Sequence, residues 1–407
     1  MNRALAIINA RIVLADRTVE GTLLLQDGAI AAINPDSLPV DVERMDARGA
    51  LVAPAIIDLG VFAVDVAACH AGGIVRIGLM PDQSPVLDDP GIVQRAALIG
   101  RPDLWIHPIA AATRSLAGND LAEMAINAHA GARAVGTGRR WIADSGMMRK
   151  VLAYAHDLGL AVISHAEDAG LVADAVATEG ETATRAGLAA APAIAEALAI
   201  ARDLMLCEET GARLHLRQVT TAAGFALIRT AKARGLPVTC GITPAHLLLS
   251  DIAMTDFRTF AHLSPPLRAE HDRLACLAAL RDGTIDVLSS GHDPRGPEEK
   301  RLPFADSAAG MAGATTVLSL GLGLVRDEII SIERLFALLA ANPAGVLGID
   351  AGLIALGMPA DIVVVDDQTP WQISADATVG RAGNTPFDGL PVQGRAVALF
   401  KGGSRLL

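Results

Sequence analysis

Polar side chains able to do chemistry stand at the ends of apolar runs in this chain. His165 lies in VISHAED (162–168), His292 and Asp293 in GTIDVLSSGHDP (283–294), Asp58 in PAIIDLGVF (54–62) and Asp82 in MPDQ (80–83). Imidazole and carboxylate are the ligands with which proteins hold a hydrolytic metal ion, and several must converge before a bound water becomes acidic. His165, His292 and Asp293 could meet around a single metal if their strand ends are neighbours. Taken alone, His165 and His292 each read as a buried, hydrogen-bonded structural residue. Arg139 and Arg140 could hold an anion but read as a solvated basic pair. Other signatures are missing: there is no G-x-S-x-G elbow, no phosphate-binding G-x-x-x-x-G-K-[ST] loop and no H-E-x-x-H. The GLG at 321–323 lacks the remainder of a dinucleotide fingerprint.

Elements that would carry these residues alternate along the middle of the chain. Short apolar runs such as WIHPIAA, LAVISHAE, ARLHLRQV, LPVTCGIT and GTIDVLSS are each followed by an Ala- and Leu-rich helical segment, for example 145–159, 191–210 and 223–235. Strands alternating with helices predict parallel βα units, and about eight of them match a (β/α)₈ barrel. A doubly wound sheet would alternate too. Both chain ends read instead as strands with turn residues between them: ALAIINARIVLA and GTLLLQDGAIAAI at the start, ADIVVVDD and AVALFKGG at the finish. The expected organisation is therefore a small β-sandwich domain built from 1–53 with 352–407, and an α/β barrel domain over 54–351.

With 407 residues, 51% of them hydrophobic, the chain is long enough and apolar enough for large cores. A net charge of −11 argues against a nucleic-acid surface and against charge-driven membrane binding, and 3% aromatics leaves few rings for stacking on single strands. Cys69, Cys207, Cys240 and Cys276 are isolated, with no C-x-x-C, and read as reduced thiols of a cytoplasmic protein. The N-terminal apolar run after Arg3 stops at Asn9 and Arg11, too short for an export signal. The uncharged stretch 307–325 is long, yet its Gly, Ser and Thr content predicts a buried loop and helix, not a membrane span.

In order and spacing these segments resemble the dihydroorotases of the amidohydrolase superfamily. PAIIDLGVF sits where that family has P-G-h-I-D-x-H-x-H, and VISHAED, LHLRQVTT (214–221) and GTIDVLSSGHDP continue the likeness. Scaffold phrases such as GMMRKVLAYA, TPAHLLLSD, HLSPPLR, GMPADIVVVD and NTPFDG extend it over nearly the whole chain. The resemblance implies a metal-holding barrel mouth, with zinc as cofactor and an Asp as proton shuttle. The residues at those positions depart from the pattern. Gly60 and Phe62 stand for the two His of H-x-H, and Val64 for the substrate-gripping Arg. Thr137 stands for the bridging carboxylate, Gln218 for a ligand His, Gly291 for the shuttle Asp and Arg295 for the second His of that motif. Asp82 replaces a substrate-binding Asn and would repel an anion, while Ala245 replaces a His of TPAHLLL. Only His165 remains of the expected ligand set, and His215 lies three residues from the ligand position.

What the resemblance then implies is a noncatalytic dihydroorotase-like chain of pyrimidine biosynthesis that assembles with the catalytic chain of aspartate transcarbamoylase. It would bind no metal and present an exposed apolar patch to its partner. The expected remnants of the substrate pocket are Asp58, Asp82, His165, Arg268, His292 and Asp293. An active zinc-dependent cyclic amidohydrolase with an atypical site is the alternative. A small-molecule binding module is another, its pocket enlarged by Gly60 and Gly291 and made apolar by Phe62 and Val64. A homo-oligomer is compatible with each.

Overall fold

The computed structural model describes residues 4–407; Arg3, whose charge entered the reading of the N-terminus, lies outside them. Parallel strands follow one another around a barrel in chain order. They are β1 (Ile56–Val61), β2 (Ile74–Leu79), β3 (Trp105–Ala111), β4 (Ala134–Gly136), β5 (Ala161–Ser164), β6 (Leu214–Leu216), β7 (Val238–Ile242) and β8 (Val287–Leu288). Pairing is parallel throughout, with Ile163 of β5 opposite His215 of β6 and His215 opposite Thr239 of β7. The doubly wound alternative is thereby set aside.

The seam between β1 and β8 is closed just beyond the regular ladder. The Phe62 amide donates to the His292 carbonyl at 2.9 Å, and the Ser290 amide donates to Asp58 Oδ1 at 2.9 Å. The Ser290 hydroxyl donates to the other oxygen of the same carboxylate. Ile57, Leu59, Ile109, Ile163 and Val287 fill the barrel interior, and Ala344, Val346 and Leu347 of the helix Asn342–Leu347 pack beneath them. Period-two alternation sends the other side of each strand outward, so Ile56, Ile77, Leu79, Val135, Val162 and Leu214 pack with the surrounding helices.

Both chain ends supply the second sheet. Its strands come from Leu5–Val13, Thr18–Gln26, Ala29–Ile33, Glu43–Asp46 and Leu51–Pro54, then from Ile362–Gln372, Pro391–Lys401 and Ser404–Arg405. Val363 pairs antiparallel with Ala53, which joins the two ends of the chain. The sheet curls round its own core of Ile7, Ile12, Leu23, Leu25, Ile362, Val364 and Phe400, and the Ile30 amide reaches the Met358 carbonyl at 2.9 Å. Stretch 307–325 forms a loop and all but the last residue of the buried helix Val317–Arg326. No helix among the described residues is long and apolar enough to cross a membrane. All four cysteines are buried free thiols.

Candidate functional site

A cavity of about 290 Å³ opens at the C-terminal ends of the barrel strands, where barrel folds place function. Phe62, Gln218, Gly291 and Asp293 line it, together with Arg139, Arg217, Thr243, His246, Ser264, Arg295 and Met311. Of the positions where metal ligands or their helpers were expected, Phe62, Gln218 and Gly291 therefore face the cavity, while Gly60 and Thr137 lie behind it.

The centre of the mouth belongs to Arg217, one residue past β6 and only 6% exposed. Its aliphatic stem covers Gly60: a side chain at 60 would bring its first carbon within 3.6 Å of Arg217 Cδ and 3.7 Å of Cγ. Gly60 also has φ of +100°, a backbone state that L side chains rarely adopt. The guanidinium reaches His165 Nδ1 at 3.0 Å and Gln218 Oε1 at 3.5 Å, while Nε has no hydrogen-bond partner. Burial first, then the neighbouring Arg139 charge, push Arg217 down to about 10, so it remains a cation at neutral pH.

His165 is the one expected ligand still present, and both of its ring nitrogens are engaged. Nδ1 faces the Arg217 donor, and Nε2 lies 3.2 Å from Glu167 Oε2. Its backbone amide donates to Thr137 Oγ1 at 3.0 Å, which gives Thr137 a structural task. Gln218 turns its amide nitrogen to His246 Nδ1 at 2.8 Å, and His246 Nε2 meets the Pro265 carbonyl at 3.0 Å. Burial pushes His246 down to about 4, so it is a neutral imidazole at neutral pH. The Phe62 ring is bracketed by two cations, with Arg139 Cζ at 3.9 Å and Arg217 Cζ at 5.1 Å from its centroid. At Gly291, where φ is +63°, an added Cβ would meet Met311 Cε and Thr243 Cγ2 at 2.9 Å, so a side chain there requires both neighbours to shift and a strained backbone.

Several expected remnants serve other purposes. Asp58 clasps the barrel seam through Ser290, and burial raises it to about 6 against the pull of those hydrogen bonds. Arg268 is buried and does not line the cavity. It donates to Glu167 Oε1 at 2.7 Å, to Thr220 Oγ1 at 2.9 Å and to Thr178 Oγ1 at 3.1 Å, with Glu196 at 3.5 Å. His292 accepts from the Ala314 amide at 3.3 Å and turns Nε2 towards Asp65 at 3.9 Å, while burial pushes it down to about 4. Asp82 accepts from the Arg139 amide at 3.0 Å. Asp293 is gripped by Arg139 Nη2 at 3.1 Å and by Arg295 Nη2 at 3.0 Å. His165, His292 and Asp293 thus point to different partners and do not form one ligand set. His215 bonds Thr239 Oγ1 at 2.9 Å, away from the cavity.

Three readings from the residues need correcting. Arg139 is not a solvated surface residue but a half-buried partner of Asp293. The mouth is not apolar, because Arg217 fills the space over Gly60. Neither Arg217 nor His246 is among the expected pocket residues, although an Arg directly after the buried strand LHL is itself a signal of a buried cation. The donor set does not suit a metal. Among the described residues no three His, Cys, Asp or Glu side chains come together as metal ligands, and the mouth holds guanidinium donors, which cannot coordinate a cation.

Comparison with known proteins agrees with this architecture. Residues 113–406 match the pattern described as "Amidohydrolase family". A protein named dihydroorotase from Syntrophotalea carbinolica is 36% identical over 397 residues, covering 94% of this chain and 93% of its own. Another so named, from Anaeromyxobacter dehalogenans, is 35% identical and covers 99% of this chain and 98% of its own. Among solved structures, L-hydantoinase from Arthrobacter aurescens superposes with a TM-score of 0.88 at 24% identity, covering 100% of this chain and 96% of its own. Dihydropyrimidinase from Brevibacillus agri follows the same fold with a TM-score of 0.83 at 21% identity, over 99% of this chain and 95% of its own. With a family pattern over most of its length and dihydroorotases related along nearly all of it, the chain belongs to the amidohydrolase family and is dihydroorotase-like.

Proposed function

We propose that this protein is a noncatalytic dihydroorotase-like chain of pyrimidine biosynthesis, with a structural or assembly role for aspartate transcarbamoylase. One observation carries the reading: a buried arginine, Arg217, occupies the middle of the mouth and engages the last expected ligand, His165, at 3.0 Å. A cation and a bracketed phenyl ring there oppose a second cation and offer no base to activate water. An assembly role is supported by the helix Ile194–Thr210, which leaves Ile194, Leu198 and Met205 exposed at 57%, 50% and 72% along one face. Apolar stripes of that kind suit a partner surface.

The test is dihydroorotate hydrolysis by the purified chain with zinc supplied, alongside sedimentation with the transcarbamoylase catalytic chain. The reading expects no turnover above background and a co-sedimenting complex. Turnover at an ordinary enzymatic rate, or two proteins sedimenting independently, contradicts it.

A second reading, an active zinc-dependent dihydroorotase with an atypical site, is favoured by the relatives: proteins of that name are 36% identical over nearly the full length. It would require His165 to leave Arg217 and Glu167, and Asp293 to leave Arg139 and Arg295, before either could ligate zinc.

A further inference from the structure

A second cavity, of about 680 Å³, opens where the segments 257–260, 295–301 and 375–384 meet. It is larger than the barrel mouth and shares only Arg295 with the mouth's lining. Hydrogen bonds tie its three walls together. Asp388 accepts from Arg258 Nη2 at 2.7 Å on one side and from the Ala375 amide at 2.7 Å on the other. Asn384 Oδ1 accepts from the Arg295 amide at 3.0 Å, and the Arg381 amide donates to Asp65 Oδ2 at 2.6 Å, which pins the last wall to the barrel.

The charge of this cavity is opposite to that of the chain. Arg258, Arg295, Lys300, Arg301 and Arg381 line it against one carboxylate, Asp376, in a protein of net charge −11. Arg258 and Arg295 are matched by carboxylates outside the lining, Asp388 for the first and Asp293 with Glu299 for the second. The other three are not matched. Lys300 is 5% exposed and places its ammonium donors on the carbonyls of Thr259, His262 and Ala308. Burial first, then the Arg295 charge, push it down to about 8, so it is still a cation at neutral pH. The guanidiniums of Arg301 and Arg381 make neither a hydrogen bond nor an ion pair among the described residues. Cations gathered without counter-ions repel one another, and an anion among them relieves that repulsion.

Phe257 and Phe260 share one wall. Phe260 is covered by Arg258, whose Cζ lies 5.5 Å from the ring centroid. Phe257 is 50% exposed and has φ of +57°, a left-handed state that bulky residues rarely adopt. A strained turn thus presents an apolar ring at the rim of a basic cavity, where it offers a face for stacking.

We propose that this second cavity binds a small organic di- or triphosphate carrying a flat ring, the chemistry of a nucleoside polyphosphate. Arg301 and Arg381 hold the phosphate chain, Lys300 adds charge behind it, and Phe257 stacks on the ring. The guanidinium fork matches phosphate oxygens. The cavity volume suits a small molecule, and the acidic remainder of the surface repels a long polyanion. The site does not depend on whether the mouth is catalytic, because its unmatched cations lie outside the mouth.

Calorimetric titration of the full chain with ATP, UTP, tripolyphosphate, AMP and adenosine, at physiological salt and without divalent cations, tests it. At least one of ATP and UTP is expected to bind. Tripolyphosphate should bind about tenfold more weakly for want of the ring. AMP should also lose about tenfold, for want of charge, and adenosine should not bind measurably. Arg301→Gln and Arg381→Gln should each weaken the nucleoside triphosphate about fivefold, and neither side chain holds another residue in place. Phe257→Ala should bring the nucleoside triphosphate down to the tripolyphosphate level and leave tripolyphosphate unchanged. Arg44→Gln, which removes an exposed cation of the other sheet, should change nothing. No binding of either nucleoside triphosphate at millimolar concentration, tripolyphosphate as tight as the nucleotide, undiminished binding in the Arg301 and Arg381 variants, or an equal loss in Arg44→Gln would each overturn the proposal.

Discussion

Arg217 and Arg268 are almost equally buried, at 6% and 3% exposure, and yet they sit in opposite surroundings. Arg268 is enclosed by acceptors that carry charge. Glu167 and Glu196 flank it, Thr178 and Thr220 complete its hydrogen bonds, and Glu196 in turn takes the Thr220 and Thr221 amides at 3.0 and 2.9 Å. Burial alone would lower Arg268, but those carboxylates outweigh it and raise it. Arg217 has no carboxylate partner, and burial together with Arg139 lowers it. One arginine ties the loops behind the mouth together. The other is a cation held without a counter-ion, beside the positions where the family resemblance implies metal ligands.

The sharpest way to break the comparison is to remove the enclosed arginine. Arg268→Leu leaves Glu167 and Glu196 buried without their cation and is expected to cost about 3–5 kcal/mol of unfolding free energy in urea. A loss under about 1 kcal/mol would mean the network stabilises little. Phe62→Ala should come next, at about 3 kcal/mol, because a buried ring is lost together with its contacts to two guanidiniums. A loss no larger than that of an exposed residue would show that the ring does not hold the mouth.

Acidification probes the enclosed side on its own. Burial would raise Glu167, but its hydrogen bond with His165 and the Arg268 charge prevail and hold it at about 2, below its unfolded value of 4.5. A depressed carboxylate contributes stability that is complete above the unfolded value and fades as pH falls from about 4.5 towards 2. The contribution at stake is about 3 kcal/mol. Glu167→Gln should flatten that acid limb, and an unchanged slope would remove Glu167 from the account. The smallest effect is expected at the other arginine. Arg217→Met keeps the volume and deletes an unmatched charge, so unfolding free energy at neutral pH should move by less than about 1 kcal/mol. A penalty as large as that of Arg268→Leu would erase the distinction.

Much of the frame is legible in the residues. The alternation of β-branched runs with Ala- and Leu-rich segments specifies parallel βα units, because strand and helix periods differ and each unit must bury both faces, while the choice of a closed barrel over a doubly wound sheet rests on the family resemblance. The end strands are legible through their turn residues, although their curling through Ile30 and Met358 is a long-range contact that no local pattern encodes. At the site, the replaced positions Gly60, Phe62, Thr137, Gln218 and Gly291 can be read one by one. What fills the space they leave cannot, because it depends on how Arg217 and Arg139 fold over Phe62 from separate strands. Asp58 and Arg268 look like pocket residues in sequence, and only the seam contact with Ser290 and the ties to Glu167 reveal their structural tasks.

Zinc content after incubation with excess zinc and desalting tests most directly whether Arg217 has replaced the metal centre. The account predicts well under one zinc per chain, unchanged when Arg217 is intact and His165 is replaced by Ala. One or two zinc ions per chain, lost in His165→Ala, would contradict it.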